Sequence, residues 1–400
     1  MAEFIYWLQD VREHLHVSGR RKVLRQPGRG FDYTKDRDTV QQVVSRLHPR
    51  RMRLRVTEVI QQTPTARTFR LERIDGPSPP FRAGQYVNVF ADVDGVLTSR
   101  PYSIASPPGS QVLELTVRDK AGGFVAPYLL NQVKVGDELE TTGPAGSFYY
   151  EPLIDGYDLV FLAGGSGITP FISIIRDTFG KGEAVSPLHI HLLYGSRVPD
   201  DVIYDHELAE LAASHPTLHY SLVISEPPPG YEGLTGFLDA DLIRRQVGAP
   251  STSLGPRDLI DKTFYICGPG VMYDFCLAAL TEMGVPRHKI RRELYGPPDD
   301  VTQEPGWPEG LSAEMVFHVE VEGGDTIRAP AGEPLLNSLE RYGIVVPAVC
   351  RAGECSACRT HLLSGRVFMP PHTGLRESDR QHGYIHACVS YPLEDLRIRL

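Results

Sequence analysis

Three patterns of apolar and polar positions succeed one another along the chain. From about Met52, apolar and polar residues alternate at a period of two. The segments are Leu54-Arg-Val-Thr-Glu-Val-Ile60, Thr68-Phe-Arg-Leu71, Tyr86-Val-Asn-Val-Phe90 and Val112-Leu-Glu-Leu-Thr-Val117. Such alternation marks strands with one buried face, and short strands divided by Gly and Pro clusters predict a small antiparallel barrel. From Tyr157 the strands become largely apolar: Leu159-Val-Phe-Leu-Ala163, fully so, then Ile190-His-Leu-Leu-Tyr194, Tyr220-Ser-Leu-Val-Ile224 and Thr263-Phe-Tyr-Ile-Cys267. Helical stretches starting near Phe171, and over residues 205–213 and 274–283, alternate with them. Alternating strands and helices predict a parallel, doubly wound sheet. The last ninety residues open with the hairpin-like Met315-Val-Phe-His-Val-Glu-Val321.

Two segments break the pattern. Gly296 to Gly310 holds four acidic residues and no basic one, and reads as an extended, solvated linker. Residues 1–50 carry 10 Lys+Arg against 6 Asp+Glu. There Phe4, Ile5, Trp7, Leu8, Val11 and Leu15 recur at near-helical spacing, which predicts a short amphipathic helix. It either packs on the next domain or serves as a docking arm. The expected domains are a partly helical extension at 1–50, an antiparallel barrel at 51–153, a doubly wound α/β domain at 154–296, a linker at 297–310 and a β-grasp-like domain at 311–400. No internal repeat is visible.

Composition narrows the classes. A charged fraction of 23% and a hydrophobic fraction of 41% describe an ordinary globular protein. The net charge of −9 argues against nucleic acid as a partner. No apolar run approaches the length of a membrane span. The opening Met1-Ala-Glu-Phe-Ile-Tyr-Trp7 lacks the features of a signal peptide. Six cysteines, four of them in one pattern, are too few for a secreted disulfide framework, so a reducing cytoplasm is expected.

Those four cysteines carry the most chemistry. Cys350, Cys355 and Cys358 form C-x4-C-x2-C, and Cys388 follows 30 residues later. This is the plant-type spacing for a [2Fe–2S] cluster held by four thiolates. Gly353, Ser356 and Ala357 keep the loop compact. A zinc site would more often use two separated C-x2-C pairs. His189, His191, His206, His372 and His382 show no metal-ligand pattern, and His386 is expected at the surface or behind the cluster.

Flavin signals lie upstream. In Arg100-Pro101-Tyr102-Ser103-Ile104, Arg100 can neutralise a phosphate and Tyr102 can lie against an isoalloxazine ring. Ser103 can hydrogen-bond the flavin, and the backbone of Ser103 to Ala105 can pair with the ring's polar edge. Gly122-Gly123-Phe124 reads as a turn opening a helix whose free N–H groups suit a pyrophosphate. Gly143 to Phe148 is a third Gly-rich turn.

Nicotinamide signals follow. Gly164-Gly165-Ser-Gly167-Ile-Thr169-Pro170 sits at a strand-to-helix turn, where glycines let the backbone approach a dinucleotide. Cys267-Gly268-Pro269 ends the last apolar strand and puts a thiol at the carboxyl edge of the sheet, where ligands bind. Cys267 is read as a nicotinamide contact, against the alternative of a buried structural cysteine.

Together these residues resemble the ferredoxin–NAD(P)H reductase superfamily, and within it the oxygenase reductases with a C-terminal plant-type ferredoxin domain. The resemblance covers roughly residues 51–400. It implies that Arg100, Tyr102 and Ser103 bind the flavin, and that Gly164, Gly165, Gly167, Thr169, Pro170, Cys267, Gly268 and Pro269 serve the nucleotide. It also implies a Glu-x-aromatic near the flavin, Glu293 and Tyr295. The family's phosphate turn often ends in Ser or Thr, where this chain has Ala126; FAD is the expected flavin, with FMN the alternative. The residue after the second cluster cysteine is usually Gly, and here it is Ser356. Ser196 and Arg197 offer one arginine to a nucleotide, but Glu226 would repel a 2′-phosphate, so NADH is expected over NADPH.

The resulting expectation is an NAD(P)H-dependent oxidoreductase. Hydride leaves NADH with two electrons, the cluster accepts one, and the flavin converts between them. Ser103, Cys267 and Glu293 are the expected catalytic residues. The expected partner is an electron-accepting protein such as an oxygenase component, docking around Arg351, Glu354 and Arg359. The alternatives are an anaerobic reductase for another metalloprotein and a redox-sensing subunit without turnover.

Overall fold

The computed structural model describes residues 49–120, 122–180, 187–248, 259–371 and 373–400, with Gln42, Val43, Ser45 and Leu47. The chain divides into two compact units, Met1–Pro49 and Arg50–Leu400. In the first unit those four residues are helical, and the amphipathic helix expected nearer the start lies outside the described residues, as does His372.

The second unit holds three sheets. The first contains β1 (Met52–Thr63), β2 (Ala66–Arg73), β3 (Tyr86–Val93), β4 (Val96–Ser103), β5 (Leu113–Arg118) and β6 (Glu138–Thr141). All pair antiparallel in the order β4-β3-β6-β1-β2-β5. An antiparallel bridge from Ile104 to Leu115 joins the two ends of the sheet and closes the barrel. The alternation in β1 places Met52, Leu54 and Val56 inside, packed on Phe69, Leu71, Val87, Val89 and Leu115.

The second sheet contains β7 (Asp158–Gly164), β8 (His189–Ser196), β9 (Leu218–Ile224), β10 (Leu234–Thr235), β11 (Thr263–Cys267) and β12 (Ile290–Arg292). All pair parallel in the order β10-β9-β8-β7-β11-β12. Its central strands β7, β8 and β11 are almost wholly buried because helices cover both faces. The helix Thr169–Phe179 buries one side against Phe161 and Tyr265, and the helix Gly270–Glu282 packs on the other face through Met272, Tyr273 and Cys276.

The third sheet contains β13 (Val316–Val321), β14 (Thr326–Pro330), β15 (Arg359–Ser364), β17 (Tyr384–His386) and β19 (Leu396–Arg399) in the order β14-β13-β19-β15-β17, beside a small ribbon of β16 (Val367–Phe368) and β18 (Tyr391–Pro392). The parallel β13–β19 pair sits inside an otherwise antiparallel sheet, with the helix Leu335–Arg341 laid across it through Leu335, Leu336 and Leu339. This is the β-grasp arrangement.

The acidic segment after β12 departs from the extended, solvated reading. Val301 is buried, and Trp307 stands edge-on to Phe368 at 5.4 Å and to Tyr391 at 6.3 Å. Its few apolar residues outweigh its charges, because each finds an aromatic surface on the third domain.

Candidate functional site

β7 and β11 are neighbours in parallel register, with Ala163 opposite Cys267. The chain leaves β7 toward β8 on one side and leaves β11 toward β12 on the other. The carboxyl ends of these two strands therefore flank the switch point of the sheet, where open α/β folds bind ligands. The turn after β7 is Gly165–Ile168, followed by the helix Thr169–Phe179 with Pro170 in its first turn. Neither the turn Gly165–Ile168, which runs straight into this helix with the Thr169 N–H donating to the Ser166 carbonyl, nor the helix Gly270–Glu282 has a side-chain cap at its start, which suits the approach of an anion.

The glycines of the two turns do more than admit a ligand. A Cβ on Gly167 would stand 2.1 Å from the Cys267 carbonyl oxygen, and one on Gly164 would stand 2.5 Å from Met272 Sδ. Gly164 and Gly167 let the two turns touch each other. Gly165 has φ +53, and its carbonyl accepts a hydrogen bond from the Tyr194 hydroxyl at 2.9 Å.

Cys267 is fully enclosed, and burial pushes its thiol well above the ordinary range, so it is a protonated thiol rather than a thiolate. The Gly268 N–H donates to the Tyr273 hydroxyl at 3.1 Å, and that hydroxyl donates to the Glu293 carbonyl. The Glu293 carboxyl is pushed up to about 8, first by burial and then by the charges of Glu354 and Cys350. It is a protonated acid at neutral pH. Two residues on, the Tyr295 hydroxyl meets Ser103 Oγ at 2.7 Å, and its ring stands edge-on to Tyr86 at 6.2 Å. Ser103, Cys267, Glu293 and Tyr295 thus gather where barrel and α/β sheet meet.

Farther along the sheet edge, Arg197 Nε faces Glu226 Oε2 at 3.8 Å, and the Glu226 N–H donates to the Arg197 carbonyl at 2.8 Å. Ser196 turns inward and donates to the Asp201 carbonyl at 2.9 Å. Its hydroxyl is already used within the fold.

In the flavin motif, Pro101 lies opposite Asn88, Tyr102 packs on the barrel core, and Ile104 closes the barrel. Arg100 donates to Thr98 Oγ1 at 2.6 Å and to the Ser99 carbonyl at 2.8 Å. Burial, then the nearby Arg351 guanidinium, lowers it to about 10, against the pull of Glu340. Two largely buried guanidiniums beside a single carboxylate leave a surplus positive charge, which a flavin phosphate would neutralise. Gly122 has φ +70, and the helix Val125–Gln132 that follows Phe124 starts without a side-chain cap or an acidic residue. These residues fit a phosphate-bearing flavin.

The cluster cysteines also fit their group. The four cysteines lie as two neighbouring pairs: the Cys350 N–H donates to Cys355 Sγ at 3.5 Å, and the Ala387 N–H, next to Cys388, donates to the Cys358 carbonyl at 3.2 Å. One sulfur in each pair, Cys355 and Cys358, is shifted down and its partner up. Two pairs suit two irons with two thiolates each. The N–H groups of Ala352, Glu354 and Cys355 all lie 3.4 Å from Cys350 Sγ.

Residues 53–150 match the model of an oxidoreductase FAD-binding domain, residues 161–277 that of an oxidoreductase NAD-binding domain, and residues 319–393 that of a 2Fe-2S iron-sulfur cluster binding domain. The chain belongs to the ferredoxin–NAD(P)H reductase superfamily, in the class with a C-terminal [2Fe–2S] ferredoxin domain. This reductase is an NAD(P)H-dependent flavin and iron–sulfur oxidoreductase with FAD as its flavin. It is 28% identical to the glycine betaine monooxygenase reductase subunit of Pseudomonas aeruginosa over 86% of this chain and 94% of the relative. It is 29% identical to the 3-ketosteroid-9-alpha-monooxygenase ferredoxin reductase component of Mycobacterium tuberculosis, over the same 86% and 94%. Its fold is that of phthalate dioxygenase reductase, with a TM-score of 0.63 and 23% identity over 88% of this chain and 98% of that one.

Three residues around the cluster loop take their roles from contacts. Arg351, read as part of a partner-facing surface, is buried against the barrel. His386 takes the second of its two expected places, behind the cluster: Nδ1 donates to the Gly353 carbonyl at 2.7 Å, and Nε2 lies 3.0 Å from Ser356 Oγ. Ser356 has φ +57, the left-handed conformation that favours glycine, which accounts for the glycine usual at this position. The imidazole ties the cluster loop to β17, a role that spacing alone does not reveal.

Proposed function

We propose that the chain is the reductase component of an oxygenase system, taking electrons from NADH and delivering them singly to a separate terminal protein. The observation that carries this reading is the order of the three domains together with the two-and-two pairing of the cluster thiols. The relatives are reductase subunits of monooxygenases, which supports an oxygenase as acceptor. When bound, the flavin accepts the two electrons of the nicotinamide together and releases them one at a time to the cluster.

The chain's own residues have separate tasks. Arg100 to Ile104 and Gly122 to Phe124 hold the flavin. Gly164 to Pro170 and Cys267 to Pro269 receive the nicotinamide half of the nucleotide, and Arg197 paired with Glu226 rejects a 2′-phosphate, which favours NADH. Ser103 and Tyr295 fix a hydroxyl pair at the flavin edge, and protonated Glu293 holds a proton nearby. Cys350, Cys355, Cys358 and Cys388 bind the cluster. Cys350 is buried among Tyr86, Leu294 and Tyr295, whereas Cys355 is exposed. Electrons enter on the first side, where Glu354 faces Arg292 of β12 at 3.9 Å rather than a partner, and leave on the second, where exposed Arg359 meets the partner. The domain limits 51–153, 154–296, 297–310 and 311–400, after an extension at 1–50, agree with this division of labour.

No helix among the described residues is long and apolar enough to cross a membrane, and none of the six cysteines is in a disulfide. These support a cytoplasmic location. The deciding experiment is an anaerobic visible spectrum before and after NADH. Bleaching of both flavin and cluster bands is expected. A flavin that bleaches beside a cluster that stays oxidised would overturn the reading.

A further inference from the structure

Thr98 lies on β4 of the barrel, whereas Glu340 and Arg351 belong to the ferredoxin domain, and the three meet in a buried cluster. The Thr98 hydroxyl donates to Glu340 Oε2 at 2.9 Å. The same oxygen accepts from Arg351 Nη2 at 3.1 Å and from Arg100 Nη1 at 2.6 Å. One donor and two lone pairs are the full capacity of a hydroxyl, so Thr98 is saturated. Glu340 completes the cluster by taking Arg351 Nη2 on its other oxygen, and Arg351 Nη1 reaches Asn337 Oδ1 at 3.3 Å.

The sequence positions matter. Arg351 directly follows the cluster ligand Cys350, and it holds a left-handed backbone, φ +55, that an L residue adopts only at a cost. Its neighbour Cys350 packs with Tyr86 of β3. Glu340 stands on the helix whose Leu335, Leu336 and Leu339 fill the ferredoxin core, so its carboxylate is aimed out of that core toward the barrel. One hydroxyl thus joins the arginine of the flavin motif to the arginine beside the cluster.

We propose that Thr98, Glu340 and Arg351 form a latch that docks the ferredoxin domain on the barrel and positions Cys350 for electron transfer from the flavin. These are positioning residues. The inference rests on the reading that electrons pass from flavin to cluster within this chain. The transfer is a single-electron step, oxidising the reduced flavin and reducing the oxidised cluster. The Glu340–Arg351 pair alone would steady the cluster loop within its own domain; the Thr98 contact makes it a bond between domains. Charge-assisted hydrogen bonds of this kind are worth a factor of roughly ten or more in an equilibrium.

The test uses the holoprotein with Thr98→Val, Thr98→Ser and Glu340→Gln, after checking flavin and iron content. Two quantities are read: the stopped-flow rate of cluster reduction from reduced flavin, and backbone hydrogen–deuterium exchange over residues 96–103 and 335–341. Thr98→Val should slow cluster reduction roughly tenfold and raise exchange in both segments, while Thr98→Ser should behave as wild type. Glu340→Gln should do the same as Thr98→Val while flavin reduction by NADH keeps its rate. If Glu340→Gln loses its cluster, the Val and Ser pair still decides. Unchanged rate and exchange in Thr98→Val overturn the latch. A slower rate with unchanged exchange assigns Thr98 to flavin binding through Arg100 and also overturns it. Raised exchange with an unchanged rate overturns the positioning role. Absence of flavin-to-cluster transfer in wild type would defeat the underlying reading instead, and the exchange data would still report the docking.

Discussion

The hydroxyls of Ser103 and Tyr295 meet at 2.7 Å although 192 residues separate them, one on the last turn of the flavin motif's strand and the other just past β12. The contact joins the barrel to the end of the α/β domain at the point where flavin and nicotinamide are proposed to meet. Tyr295→Phe leaves Ser103 without this partner and should lower stability by about 1–3 kcal/mol. Ser103→Ala removes the hydroxyl at the flavin edge and should lower kcat for NADH-driven ferricyanide reduction about a hundredfold. Denaturant titration checks the first and steady-state kinetics the second; a Ser103→Ala enzyme with wild-type kcat would remove Ser103 from the proposed chemistry.

Nucleotide choice should shift with Glu226. Glu226→Arg replaces a repelling carboxylate with a second guanidinium beside Arg197. The ratio of kcat/KM for NADPH to that for NADH should rise about tenfold or more, since Arg–phosphate pairs are strong and bidentate. An unchanged ratio would place the 2′-hydroxyl elsewhere.

The cluster loop offers a strain test. Ser356→Ala keeps the left-handed backbone but loses the bond to His386, and should destabilise the loop by about 1 kcal/mol. Ser356→Gly relieves the strain as it loses the bond, and the two effects should nearly cancel. The rate at which cluster absorbance decays on warming distinguishes them. Equal decay in both variants would show that neither the bond nor the backbone conformation matters.

Stability should fall in mild acid because of two stacked histidines. His191 and His219 lie 4.7 Å apart on β8 and β9. Burial, then His219, lowers His191 to about 3, and burial lowers His219 as well. His189 and Lys262 add further positive charge around the pair, against which Asp158 pulls the other way on His191. The unfolded chain binds a proton at His191 below about 6.5, and the folded one does not until about 3. The stabilisation is therefore complete above about 6.5 and is lost as pH falls toward 3, at about 1.4 kcal/mol per pH unit for His191. Denaturant titrations at several pH values should show this slope, and His191→Phe should flatten it. An identical slope in the variant would contradict the assignment.

Much of this architecture is legible in the chain because strong periodicity survives folding. The apolar runs at Leu159–Ala163 and Thr263–Cys267 become adjacent central strands, and the cysteine spacing becomes two thiol pairs. What is not legible depends on contacts between domains. β6 and β12 are only four and three residues long and carry too little pattern to be seen. Arg351 looks like any charged loop residue until Thr98 and Glu340, far away in sequence, surround it. Ser196 reads as a ligand-facing hydroxyl, but the Asp201 backbone carbonyl, five residues on, captures it. Gly164 and Gly167 read as a place for a cofactor, yet their first constraint is the neighbouring Cys267 turn. The acidic segment reads as solvated because charge dominates its composition, while two residues, Val301 and Trp307, determine its path.

That path shortens the leash on the ferredoxin domain. With Val301 and Trp307 anchored on that domain, only Gly296 to Asp300 is left to span the gap, five residues of which two are prolines. Fully extended they reach about 17 Å. A ferredoxin domain released from the barrel would face it at an effective concentration in the millimolar range, and would return faster than a dilute partner could intercept it. An acceptor does best to approach the docked domain from the exposed Cys355 side, so that successive electrons can be handed over without undoing the assembly that supplies them.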